Sequence, residues 1–314
     1  MEAGTSSDME CEHSVPENVP SQRLDAYIAA NVYKGAISRH RITQALRSGA
    51  LRVDGQQVAP HRHVRPHSRI TGTVPPDEEA IIEVQDNPSV RILFTHQDFY
   101  FVYKPAGVVT HGAPSVDSRE TLVSALLARD PDLAVVGEGP RRGGIVHRLD
   151  RETAGVMVVA RSASALVRLQ EAFQCRRVHK TYHALLHGRV PWTTRTVTWP
   201  IARSTRGGRM VAIRSTRTPY RGTAREAMTT FVVHRRYPNV TQVVVYPQTG
   251  RTHQIRVHAA ALGHAIVGDT VYRRRTPTNA GLALRAVALR MMYEGHVYTA
   301  AIPDDVANLC YTDI

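Results

Sequence analysis

The sequence predicts an α+β protein: a mixed, largely antiparallel sheet flanked by helices, preceded by a small α+β module. Three observations carry this expectation. The strand-like segments TYHALLHG, AMTTFVVH, TQVVVYP, LALRAVAL and HVYTAAI follow one another, several with no helix between them, which argues against a doubly wound order. Nearer the start, two short helical patterns lead into LRV, the turn Asp54-Gly55 and QQV, a hairpin signal. The polar stretch VPPDEEA, stiffened by Pro75-Pro76, separates the two regions. A chain of 314 residues is long enough for one sizeable core and a smaller module.

Taken in order, residues 1–20 hold five acids (Glu2, Asp8, Glu10, Glu12, Glu17) and no Lys or Arg, so they are expected to form an acidic disordered tail. Leu24, Tyr27 and Ile28 share one helical face; Ser38 is placed to cap a second helix carrying Ile42, Ala45 and Leu46, which Gly49 ends. That second helix offers Arg39, His40, Arg41 and Arg47 on its exposed side, with Lys34 just upstream. The module is expected over 21–73, a linker over 74–88 and the main domain over 89–314. RILF (91–94) and FYFVYK (99–104) read as strands, 118–128 as a helix, GVMVVA (155–160) as a buried strand, and Ser162 as the cap of a helix running to Phe173. Residues 203–225 contain seven arginines and no acid among Ser, Thr and Gly, a basic loop or hairpin suited to contacting RNA.

Charge narrows the partner. The net charge is +13, and with the acidic segment set aside the rest carries +18. Clustered Lys and Arg gain free energy by displacing counterions from phosphates, so RNA is the expected partner. Three cysteines at unrelated spacings (Cys11, Cys175, Cys310) point to free thiols in a reducing compartment and away from a zinc site. HRHVRPH (61–67) has neither Cys nor acid beside it and reads as a surface loop, so no metal is expected. No apolar run approaches bilayer length and no transit or signal segment stands out; the expectation is no membrane association, a cytoplasmic location with nucleus and organelle left open, and a monomer.

In GGIVHRLDRETAGVMVVARS (143–162) a lone carboxylate, Asp150, lies where the chain turns into a buried strand, at the mouth of a core. Three further blocks accompany it: VYKPAGVVTHG (102–112), RVHKTYHALLHG (177–188) and TGRTHQIRVHAAALGHAIVGD (249–269). In order and spacing the four blocks resemble the RluA-type pseudouridine synthases, from about residue 90 to the C-terminus. RLDAYI, SRHRITQALRSGALRVDG and the strand near Arg69–Thr73 resemble, more loosely, the S4 RNA-binding module.

The resemblance implies an RNA pseudouridine synthase acting on a uridine of transfer or ribosomal RNA, with the base flipped out of its helix and no cofactor. Breaking N1–C1′, turning the uracil and rejoining it through C5 exchanges no atoms or electrons with a third party. It does need an ionised carboxylate, either to attack C1′ or to remove the C2′ proton. Asp150 matches the family's aspartate and fits both routes; the plainer role for such a residue is a turn cap. Arg251 is carried over as the arginine that keeps Asp150 ionised, with Thr252 capping the helix that follows; a phosphate clamp is its alternative. Tyr182 corresponds to the tyrosine that stacks on the flipped base and assists at C5, Arg148 to the arginine near the vacated base, and Ile255 to the apolar group on the uracil's other face, where core packing is the rival role. Arg39, Arg41 and Arg47 are the expected RNA contacts of the S4-like module. Lys104-Pro105 shapes the cleft floor, and His147 fixes its loop rather than titrating. The chain departs from the family's usual Thr-Ser-Gly with Thr153-Ala154-Gly155, which removes one hydroxyl near the nucleophile.

Two other classes compete. A glycosidase needs a second carboxyl group with a separate role, and Glu152 is the only acid close in sequence to Asp150. An inert RNA-binding protein accounts for the module and the basic segment, but leaves Asp150, Tyr182 and Arg251 without a purpose.

Overall fold

The structure, a computed structural model, describes residues 10–33, 37, 39–75, 84–112, 118–137, 142–205, 207–273 and 281–303. The chain divides into two units, Met1–Ile81 and Ile82–Ile314, a boundary inside the expected linker.

The first unit contains β1 (Glu10–Ser14), α1 (Leu24–Tyr27), which runs into a π turn over Ile28–Val32, α2 (Arg39–Ser48), β2 (Leu51–Val53) and β3 (Arg69–Thr73). The strands form an antiparallel sheet in the order β1-β3-β2. Its core is the expected helical face, Leu24, Tyr27, Ile28, Ile42 and Leu46, closed by Leu51 and Ile70. Between the two helices Asp25, almost fully buried, receives Arg23 at 2.7 Å and Arg39 at 2.8 Å. Buried on an apolar face, a carboxylate needs such partners.

Two expectations are corrected here. Residues 10–20 are not a free tail: Cys11 and Val15 are buried, Glu12 faces Arg69 across the sheet, and β1 pairs along its length with β3. The acidic charge masked an alternation of buried and exposed positions. The Asp54-Gly55 turn forms with both residues at positive φ, 52° and 75°, but QQV contributes only one bridge, Val53 to Gln56. Pro60 and Pro66 interrupt any continuing strand, and β3 takes that place. Ser38 and Lys34 lie outside the described residues.

The second unit opens with β4 (Arg91–Thr95) and β5 (Phe99–Lys104), then α3 (Leu122–Leu127), capped by Thr121, β6 (Ala154–Ala160), α4 (Ala163–Gln174) and β7 (Val178–His187). There follow β8 (Thr194–Val197), β9 (Ile201–Ser204), β10 (Met210–Ala212), β11 (Tyr220–Arg225), β12 (Thr229–Arg236), β13 (Val240–Pro247), α5 (Gln254–Ala261), β14 (Leu284–Tyr293) and β15 (His296–Ala301). Ser162 caps α4 as expected, accepting the Ala165 N–H at 3.2 Å.

The main sheet runs β4-β5-β6-β14-β7-β13-β12-β8, with β15 also on β14. Every pairing is antiparallel except β6 with β14. Strands β5 and β6 are buried throughout, which explains their unbroken apolar runs. The 203–225 region is a three-stranded sheet, β10-β9-β11, whose apolar side meets Val257 of α5, with Ala261 and Tyr272 at its edge. Cys11 and Cys175 are free thiols, and no helix among the described residues is long and apolar enough to cross a membrane.

Candidate active site

Residues 147–153 have no regular structure, and their shape is set from outside by polar contacts. The Thr110 hydroxyl donates to Leu149 O at 3.0 Å and accepts the Leu149 N–H at 3.4 Å. On the other side of Asp150, Arg151 O accepts from the Gly107 N–H at 2.8 Å and from Lys104 Nζ at 3.3 Å. Lys104 is fully buried and its ammonium also bonds Pro105 O and Val108 O, so the Lys-Pro turn is a clamp on the Asp150 loop. Burial pulls the Lys104 ammonium down to about 8, against the opposing pull of Asp150 and Glu152. His147 accepts the Val158 N–H through Nε2 at 3.1 Å and stacks on Phe173. Burial lowers it to about 3, so it is neutral and anchors the loop.

The register across the sheet then sets Asp150 near Tyr182. Gly155 of β6 pairs with Ala286 of β14, and Ala286 pairs with Tyr182 of β7. Gly155 has φ 150°, and a Cβ there would meet Ala286 O at 2.3 Å, so only glycine permits this approach. The parallel contact of β6 with β14 thus rests on small residues at the point where the Asp150 loop enters the sheet.

Asp150, 20% exposed at its side chain, opens onto a cleft of about 510 Å³ that Tyr182, Arg148, Arg251 and Ile255 also line. Tyr182 is buried, and its phenol is raised above the ordinary tyrosine value by burial and by the Asp150 charge. Ile255 is buried in the first turn of α5, and Arg148 is exposed at the rim. Thr153 also reaches the cleft, its buried hydroxyl lacking a hydrogen-bond partner.

The cation beside Asp150 is Arg256, which corrects the assignment to Arg251. Arg256 Nη1 lies 3.6 Å from Asp150 Oδ2 and 3.7 Å from Glu152 Oε2. Its Nε and Nη2 form a two-pronged pair with Asp269 at 2.9 and 3.0 Å. Asp269 is fully buried and also accepts the N–H groups of Val271 and Tyr272. Burial alone would raise its carboxyl; the Arg256 bond and charge and the two N–H groups hold it below the ordinary value. Arg251, in contrast, donates Nε to Glu226 O at 2.8 Å.

The reason is local. The residue before α5 is His253, in the left-handed region at φ 55°, so the helix starts at Gln254, one residue later than a cap at Thr252 implies. The Gln254 side chain ties the preceding turn to the helix, accepting the Arg251 N–H at 3.0 Å and the Thr249 hydroxyl at 2.7 Å. His253 itself stands with Nε2 4.0 Å from Asp150 Oδ1 and Nδ1 3.0 Å from the Tyr272 hydroxyl. Burial lowers its pKa despite the Asp150 charge.

Arg256, Asp269 and His253 are the site residues the sequence reading did not single out. All three stand in the block 249–269; the available signal was a second arginine, in the first turn of α5, with an acid at the end of the same block. In the first unit Arg39 is tied to Asp25, Arg41 donates to Pro75 O at 2.6 Å, and Arg47 is exposed on α2. Among the described residues no three His, Cys, Asp or Glu side chains are grouped to hold a metal ion.

Residues 98–261 match the family described as RNA pseudouridylate synthase. The chain is 38% identical over 254 residues to an Aquifex aeolicus protein named uncharacterized RNA pseudouridine synthase, covering 80% of this chain and 77% of that one. It is also 38% identical over 260 residues to ribosomal large subunit pseudouridine synthase D of Xylella fastidiosa, covering 82% of this chain and 73% of the relative. Among solved structures it is similar to human RNA pseudouridylate synthase domain containing 1, with a TM-score of 0.56 and 30% identity over 68% of this chain and 83% of that one.

Proposed function

Because the chain belongs to the RNA pseudouridylate synthase family, we propose that Asp150 is the carboxylate that acts at the ribose of the flipped uridine, with Arg256 as its partner and Tyr182 as the platform for the base. The activity is established by membership: the protein is an RNA pseudouridine synthase, an isomerase of uridine in RNA.

The observation that carries the residue assignment is the unsatisfied Nη1 of Arg256. That atom is buried without a hydrogen bond and faces Asp150, while the rest of the guanidinium is neutralised by Asp269. A cation held in this way gives the Asp150 carboxylate a charge partner at the point where either attack on C1′ or removal of the C2′ proton takes place. Tyr182 supports a narrower role than its family counterpart allows. Its phenol is held protonated by burial and by Asp150, so it serves as a neutral stacking surface, opposite Ile255, rather than as a phenolate base.

For the RNA target, the relatives named for the large ribosomal subunit favour ribosomal RNA over transfer RNA. The first unit, two short helices leading into a small sheet with Arg41 and Arg47 on α2, supports the S4-like reading as an RNA-holding module. Pseudouridine mapping across cellular RNA, with and without the intact gene, tests the assignment. The expected result is loss of one or a few pseudouridines from large-subunit ribosomal RNA. Loss from transfer RNA alone moves the target, and an unchanged map overturns the reading.

A further inference from the structure

The arginine displaced from Asp150 has company. Arg251 sits in the turn between β13 and α5; its Nε bond to Glu226 O leaves the two terminal nitrogens without a hydrogen bond among the described residues. One residue from that anchoring carbonyl, at the end of β11, stands Arg225. On the other side, a side chain built at Gly250 would meet Lys180 Nζ at 3.9 Å, so the ammonium lies against the same turn. Arg176, which follows α4 in the left-handed conformation at φ 57°, lines the cleft together with Lys180, Gly250 and Arg251.

We propose that Lys180, Arg176 and Arg251, in the wall of the cleft that also holds Asp150, form with the neighbouring Arg225 a binding site for one backbone phosphate of the RNA. The proposal rests on RNA being the substrate.

Lys180 is the centre of this site. It stands on β7 two residues before Tyr182, so both side chains leave the same face of the strand toward the cleft. Its ammonium makes no ion pair and no hydrogen bond with any described residue; its neighbour is the ring of Phe173, 5.8 Å away. Burial lowers it to about 8, so it still carries charge near neutral pH. Half-buried in the cleft wall, an ammonium without a partner gains from a ligand that supplies an anion.

The three arginines add charge to the same turn from more open positions. Arg225 and Arg176 both depress Arg251, after burial as the largest cause, and exposed Glu226, the one carboxylate acting on Arg251, makes no ion pair with it. Neither Arg176 nor Arg225 has a carboxylate partner among the described residues, and neither Lys180 nor Arg251 lies within ion-pair distance of Asp150. Four cations converging on one turn suit an anion that offers several oxygens. A phosphodiester does so, and guanidinium binds it through two parallel bonds. The uracil carbonyls are neutral acceptors and do not balance this charge.

The test uses the full chain carrying Asp150→Asn, to stop turnover, and a stem-loop RNA containing the uridine located by mapping. The phosphates flanking that uridine are replaced one at a time by uncharged methylphosphonate. One replacement should weaken binding to the otherwise unaltered site about tenfold and should be silent in Lys180→Met and in Arg251→Gln. In each variant the slope of log affinity against log salt should become shallower by about one unit, and Lys180→Arg should restore it. Unchanged salt slopes, or methylphosphonate effects that persist in both variants, overturn the site. Should Lys180→Met fail to fold, Arg176→Gln and Arg251→Gln at the more open positions make the same comparison. A stem-loop that the parent protein neither binds nor modifies instead overturns the choice of substrate, a distinct outcome.

Discussion

Arg256 links two carboxylates with different tasks. Asp269 takes Nε and Nη2 in a fully buried pair, which fixes the guanidinium plane; Nη1 is thereby left pointing at Asp150. Arg256→Met should therefore do two things. Asp269 loses its partner in the interior, which costs about 3–5 kcal/mol of stability; the charge beside Asp150 disappears, and turnover should fall steeply while the salt slope of RNA binding stays the same. Thermal unfolding, single-turnover rate and salt-dependent affinity check the three parts. Arg251→Gln should show the reverse pattern, a shallower salt slope with its effect on KM.

The same pair sets a pH limit. The Asp269 carboxyl is lowered in the folded state, so its contribution is present above the unfolded aspartate value and lost as pH falls through the folded one. His147 and His111, lowered to about 3 and about 4 mainly by burial, act earlier on the same titration. Between pH of about 6.5 and 4 the unfolded chain binds protons that the folded chain refuses, so stability falls with falling pH. Urea unfolding at several pH values should show this loss, and replacing His147 with Gln should reduce the slope. A flat profile across that range contradicts imidazoles held neutral in the folded state.

At the scale of elements, α4 and β14 show what the sequence can and cannot display. Ser162 at the start of α4 is readable because a cap is a local device, a hydroxyl receiving one free N–H. Ser162→Ala should lower stability by about 1 kcal/mol, measured by denaturant unfolding, with a small effect on chemistry through Phe173 at the far end of the helix. The strands of the second unit were legible for the same reason, since FYFVYK and GVMVVA carry their burial in their composition. Strand order was not. β14 is next to last in the chain and inserts between β6 and β7, because Ala286 and Gly155 allow a close approach that no periodicity announces. The identity of the arginine beside Asp150 was hidden for a similar reason. It depends on the left-handed turn at His253, a backbone feature, whereas the sequence shows only two arginines five positions apart. In the first unit, the acids of residues 10–20 hid a strand whose inward positions, Cys11 and Val15, are apolar.

For the whole molecule, a net charge of +13 on 314 residues is spread over two units with separate cores. All the groups assigned to chemistry belong to the second unit, whereas Arg41 and Arg47 belong to the first. Removing residues 1–81 should weaken RNA binding and flatten its salt dependence far more than it slows the reaction on saturating RNA; equal affinity of both forms at several salt concentrations would remove the first unit from the binding account. The central claim, that Asp150 performs the chemistry, is tested most directly by the single-turnover yield of pseudouridine from Asp150→Asn. This substitution is nearly isosteric and keeps the Thr110, Gly107 and Lys104 clamp, whose bonds all go to the backbone of neighbouring residues. The account predicts a folded protein that binds the mapped RNA with the parent affinity and forms no pseudouridine. Pseudouridine formed by Asp150→Asn at the parent rate would contradict it.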